Sequence, residues 1–122
     1  MELSAAARHL TVVTTRILQL SAEQQFHIIV HPLTHDLYAT RELLDHGVNH
    51  PRVTGALTQL VPLAAELSQR PLHAVDIGSN IGYFTLLSAA MGASVVAVEP
   101  TMYHRNLLLA SLALNPRLAH AL

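Results

Sequence analysis

Apolar residues change their period twice between Leu72 and Pro100, and the rest of the chain can be placed around that change. Leu72–Ile77 and Ser94–Val98 are short apolar runs rich in β-branched residues, and the interval between them suits one crossover helix joining two parallel strands. Strand, glycine turn, helix, strand is the predicted order, a βαβ unit. Upstream, Leu3, Ala6, Leu10, Val13, Ile17 and Leu20 recur at three- and four-residue spacing, which predicts an amphipathic helix over 3–20. Ser21 and Gln24 have the spacing of a capping box, but Phe26–Val30 turns β-branched and Pro32 follows, so a short strand is expected at 26–30. Arg41–His46 reads as a short helix after Thr40, closed by Gly47. Val53, Leu57, Leu60, Ala64 and Leu67 keep helical spacing across Pro51–Ser68, with a kink expected at Pro62. After Pro100, leucines 107, 108, 112 and 114 place a helix over Tyr103–Leu114. Asn115-Pro116 ends it, and a further parallel strand could only begin at Leu118–Leu122. The organisation expected is a mainly helical extension over 1–70 and a partial Rossmann-like unit over 71–122. The fold class is α/β, with an incomplete parallel sheet.

The turn between the two strands carries the chemistry. Gly78 suits the positive φ of a tight strand-to-helix turn, and Gly82 lets the first helical turn approach the sheet. The turn is thus expected to show bare backbone to a ligand. Glu99 ends the second strand 21 residues after Gly78, where an acid in such folds accepts hydrogen bonds from ribose hydroxyls. Measured against the dinucleotide fingerprint G-x-G-x-x-G, Asn80 and Tyr83 stand in place of the second and third glycines, which argues against a pyrophosphate and a nicotinamide oxidoreductase. Asp76 would repel phosphate but favour an ammonium or sulfonium group. S-adenosylmethionine has both cations and a ribose.

The stretch AVDIGSNIGYFTLLSAAMGASVVAVEP and the helix after it, to Asn115, resemble the FkbM-type family of class I S-adenosylmethionine-dependent methyltransferases. That resemblance implies Asp76, Gly78, Ser79, Asn80 and Gly82 as the cofactor loop, Glu99 on the ribose, and methyl transfer to a hydroxyl of a small molecule or saccharide. It covers Ala74–Asn115. The further strands and adenine-contacting loop of such enzymes have no counterpart here, so a cofactor-binding part without turnover of its own is expected. The alternative is a noncatalytic, truncated or split chain that needs a partner to complete its fold. An unpaired sheet edge would in either case favour self-association.

Composition narrows the partners. Of the 122 residues 51% are hydrophobic and 12% charged, a chain that folds rather than stays disordered. Seven arginines, no lysine, nine histidines and a formal charge of −1 make no basic field for nucleic acid or anionic membrane. Cysteine is absent, which removes disulfides, zinc–thiolate sites and cysteine nucleophiles. Glu2 and the lack of a compact apolar core argue against a secretory signal, Arg8 and Arg16 make only a faint transit-peptide pattern, and a cytoplasmic location is expected. Ile77–Val98 holds no charge over a membrane-spanning length, with Gly78 and Gly82 in a helix-dimer pattern, yet its glycines, serines and Asn80 fall where a strand-turn-helix-strand needs breaks. His27, His31 and His35, and His46 and His50, lie four apart, but Pro32 keeps the first three off one helix, and no metal site is expected. Asp36, Glu42, Asp45 and Glu66 lack acid–base partner spacing, and Ser79 lacks the setting of a nucleophile. Tyr103 and His104 follow Glu99 closely enough to line an adenosine pocket, or simply begin the helix. Phe84 and Leu87 are assigned to the core.

Overall fold

The computed structural model describes residues 10–33 and 38–122. Two small sheets and four helices surround one core. β1 (Thr11–Thr14) pairs antiparallel with β2 (His27–Val30), Thr11 opposite Val30 and Thr14 opposite His27. α1 (Ala39–His46) and α2 (Pro51–Ser68) follow, then β3 (His73–Ile77), α3 (Tyr83–Ala90), β4 (Ser94–Val98) and α4 (Met102–Leu114). β3 and β4 form the expected parallel pair, Val75 beside Val96.

The helix expected over 3–20 is not what forms at 11–14; its first seven residues, 3–9, lie outside those described. Thr11-Val12-Val13-Thr14 is a run of four β-branched side chains, which lose rotamer freedom in a helix and gain packing in a strand. Pairing with β2 also satisfies a backbone that a helix would have satisfied internally. Ser21 and Gln24 do form a capping box, but on a single 3₁₀ turn. α1 begins two residues before Arg41, which leaves Thr40 as a buried helical residue rather than a cap, and Gly47 closes the helix at φ 68°. α2 runs unbroken past Pro62. No strand starts at Leu118: Pro116–Ala121 forms 3₁₀ turns that bury Leu118 and Ala121, because Pro116 withholds a ladder donor and fixes φ. Ile77–Val98 divides into strand, turn, helix and strand, and among the described residues no helix is long and apolar enough to cross a membrane.

The hairpin joins the rest of the molecule through α4. Asn115 Oδ1 accepts the His27 N–H at 2.8 Å, its Nδ2 donates to the His27 carbonyl at 2.6 Å, and Ser111 Oγ accepts the Ile29 N–H at 2.9 Å. An amide side chain thereby does for the outer edge of β2 what a third strand would do. Ile17, Phe26, Ile28 and Val30 from the N-terminal part bury with Ile81, Leu86, Leu87, Leu107 and Leu108 in one hydrophobic cluster.

Candidate cofactor-binding site

β3 carries Asp76 near its carboxyl end, and the Thr85 hydroxyl on α3 donates to Asp76 Oδ2 at 2.6 Å. That bond fixes the carboxylate beside the first turns of α3 and leaves its other oxygen open to a ligand. Sequence reading missed Thr85, the third residue of α3; the only signal was a hydroxyl just ahead of the helix-like run that starts at Leu86.

The turn after β3 passes through three residues with positive φ: Gly78 at 77°, Asn80 at 52° and Gly82 at 94°. Its backbone is less bare than expected. Gly78 and Ser79 both donate their N–H to the Val98 carbonyl, at 2.8 and 3.1 Å, and Gly82 donates to the Ser79 carbonyl at 2.8 Å. The Asn80 N–H goes to Glu99 Oε2 at 2.8 Å. What stays open is space: a Cβ built on Gly78 would meet no atom within 4 Å, whereas one on Gly82 would overlap Leu108. Gly78 thus borders the free side of the turn, while Gly82 is the point of contact between α3 and α4.

Glu99 closes the site from β4. Besides the Asn80 N–H, its carboxylate accepts the Thr101 N–H at 2.9 Å through Oε1, and His104 Nδ1 lies 3.5 Å from the same oxygen. The Thr101 N–H is the main reason that its carboxyl is held below the ordinary value of 4.5; burial works against this, and the Asn80 N–H, the Thr101 hydroxyl and His104 add to it. A charged carboxylate offers about four lone-pair sites, of which the two backbone N–H groups take one on each oxygen. A cavity of about 520 Å³ opens beside it, between Val95–Val98 of β4 and Leu108, Leu109 and Leu112 of α4, with Ser79 and Arg105 also on its wall. Ser79 is 6% exposed and its Oγ has no hydrogen-bond partner among the described residues, a buried group that a polar ligand would satisfy.

The six residues Asp76, Gly78, Ser79, Asn80, Gly82 and Glu99 therefore converge at the carboxyl ends of β3 and β4, where open α/β sheets bind ligands. Glu99 and the buried Ser79 hydroxyl on the cavity wall, with Asp76 on the neighbouring strand, suit a ligand that carries hydroxyls and a cationic group, and fit S-adenosylmethionine. Tyr103 and His104 gather around His31, with ring centroids 5.2 and 5.0 Å from it, while His104 also reaches Glu99 and Arg105 lies on the cavity wall. Leu87 is fully buried, but Phe84 is only half-buried and stacks on His50 at 6.1 Å. Among the described residues no group of three metal-ligating side chains forms; His35 and Asp36 lie outside them.

No family model matches the chain. A protein-L-isoaspartate O-methyltransferase of Chromohalobacter salexigens is 32% identical over 89 residues, which take in 70% of this chain and 37% of that protein. Two solved structures of WbdD, a bifunctional kinase-methyltransferase, match with a TM-score of 0.57 at 24% identity, over 65% of this chain and 18% of theirs. The chain thus spans well under half the length of either relative. Over the matched stretch it is methyltransferase-like in sequence and fold.

Proposed function

We propose that this chain is the cofactor-binding part of an S-adenosylmethionine-dependent methyltransferase of the FkbM type, serving methyl transfer to a hydroxyl of a small molecule or saccharide. The observation that carries the reading is the tie from Glu99 Oε2 to the Asn80 N–H. It sets the acid over the glycine turn with Asp76 on the neighbouring strand, so one ligand can meet both. The name of the sequence relative, an O-methyltransferase, supports an oxygen acceptor. Bound there, the cofactor supplies an already activated methyl group, and the residues of the chain hold its ribose and cationic end and keep it aligned.

Calorimetry with S-adenosylhomocysteine and with NAD tests this. S-adenosylhomocysteine should bind and NAD should not. Glu99→Ala should weaken binding roughly ten- to hundredfold, the worth of a hydrogen bond to a charged group at about 1.5–3 kcal/mol. Preference for NAD, or affinity unchanged by the substitution, overturns the assignment.

A second reading, that the chain works as a noncatalytic module completed by a partner or by a second copy, is favoured by the exposed aliphatic face of β3 and β4.

A further inference from the structure

His50 is held as few exposed histidines are. Its backbone has φ 44° and ψ 71°, a left-handed conformation that is unfavourable for a non-glycine residue and persists only where its surroundings enforce it. Enforcement comes from three sides. Glu42 Oε2 on α1 accepts the His50 N–H at 2.8 Å. The imidazole lies nearly flat against Phe84 of α3, 22° between the planes. Pro51, the first residue of α2, follows at once. Ring position is thus fixed by backbone and stacking, while neither ring nitrogen makes a hydrogen bond to another described residue. Next to His50 a cavity of about 490 Å³ opens, lined also by Glu42, Pro51, Arg52 and Val53.

The position of this cavity gives it meaning. The first turn of α2 lies against the first turn of α3: the Thr54 hydroxyl is 3.1 Å from the Tyr83 hydroxyl. α3 starts directly after Gly82, so the ring on which His50 stacks, Phe84, belongs to the first turn of the helix that leaves the cofactor turn, and the two cavities share no lining residue. A pinned imidazole with free nitrogens, beside a cavity and next to a turn read as holding a methyl donor, is equipped to receive a proton.

We propose that His50 is the acceptor-side residue of the site, binding the hydroxyl that is to be methylated in the cavity between Glu42 and Val53. This rests on the cofactor reading above. The hydroxyl oxygen forms the new bond to the methyl carbon, the carbon–sulfur bond breaks with its electron pair going to sulfur, and the hydroxyl proton passes to a ring nitrogen of His50. Among the described residues, the charged groups that share the cavity with the imidazole are Glu42 from α1 and Arg52 from α2.

The position of the methyl-bearing sulfur can be read without turnover, because S-adenosylmethionine carries a positive sulfur and S-adenosylhomocysteine a neutral one. Histidine ring resonances of the full chain are recorded by NMR at one pH with each ligand, and His50 is assigned by the signal missing in His50→Gln. His50→Asn, which tolerates the left-handed backbone, provides the assignment if the first variant does not fold. The His50 ring signals should differ between the S-adenosylmethionine and S-adenosylhomocysteine complexes more than those of the other histidines, because only the former sets a positive sulfur beside the ring. If both ligands bind and the His50 signals are the same with each, the proposal fails while the cofactor reading stands. If neither ligand binds, the cofactor reading fails and takes the proposal with it.

Discussion

Gly82 and Gly78 share a backbone sign but not a reason for being glycine. Both have positive φ, so an alanine at either costs about 1–2 kcal/mol in backbone strain alone. At Gly82 the added methyl must also displace Leu108, which is 6% exposed in the core, a steric cost of about 1–3 kcal/mol more. Gly82→Ala should therefore destabilise by about 2–5 kcal/mol and Gly78→Ala by about 1–2, compared by urea unfolding. Equal losses would mean that α3 and α4 do not meet at Gly82. The role of Gly78 as a turn residue was legible from sequence; the contact of Gly82 was not, since Leu108 comes from a helix 26 residues further on.

Glu99 gives a second residue-scale test, in pH. Its carboxyl titrates below the ordinary glutamate value because the charged form is hydrogen-bonded, first by the Thr101 N–H and then by the Asn80 N–H. A depressed native pKa means that the folded state releases this proton more readily than the unfolded chain. The stabilisation is therefore complete above the unfolded value and is lost as pH falls through the native one. The difference in unfolding free energy between wild type and Glu99→Gln should stay flat from neutral pH to the ordinary value of 4.5 and shrink below it. A difference that grows on acidification would contradict the hydrogen bonds described.

At the scale of elements, what could be read from the sequence followed the strength of local signals. β4, α2 and the Gly47 cap coincide with the sequence expectation, because in each an uninterrupted pattern and its terminating residue agree. The N-terminal segment failed for the opposite reason. Its three-and-four spacing is real, but Thr11–Thr14 is β-branched throughout, and β2 supplies a strand partner that no local window contains. Period gave way to side-chain shape once a neighbour was present. The site followed the same rule. All six named residues converge, being local to one βαβ unit, whereas Thr85, Arg105 and the cavity beside α4 depend on packing between elements. The Asn115 and Ser111 bonds to β2 were equally invisible, since they join positions more than 80 residues apart.

The parallel sheet leaves the molecule as a whole with an exposed apolar face. On one side of β3 and β4, Ala74, Asp76, Val95 and Ala97 turn toward α3 and the core. On the other, Val75, Ile77, Val96 and Val98 are 65%, 81%, 61% and 47% exposed. Parallel sheets are ordinarily covered on both faces, and each of these strands also has an outer edge with no strand beside it among the described residues. Adjacent aliphatic side chains and unpaired peptide groups together favour association, through apolar burial and through edge pairing. Light scattering across a concentration series should show the apparent mass of the chain rising with concentration. The double variant Val75→Lys, Val96→Lys places two like charges side by side on the face without touching the core. It should remain monomeric with an unchanged circular dichroism spectrum, because ammonium groups there would have to be desolvated for the face to be covered. If the edges rather than the face drive association, the variant should associate as the wild type does. A wild-type chain that stays monomeric throughout would mean that neither surface recruits a second copy.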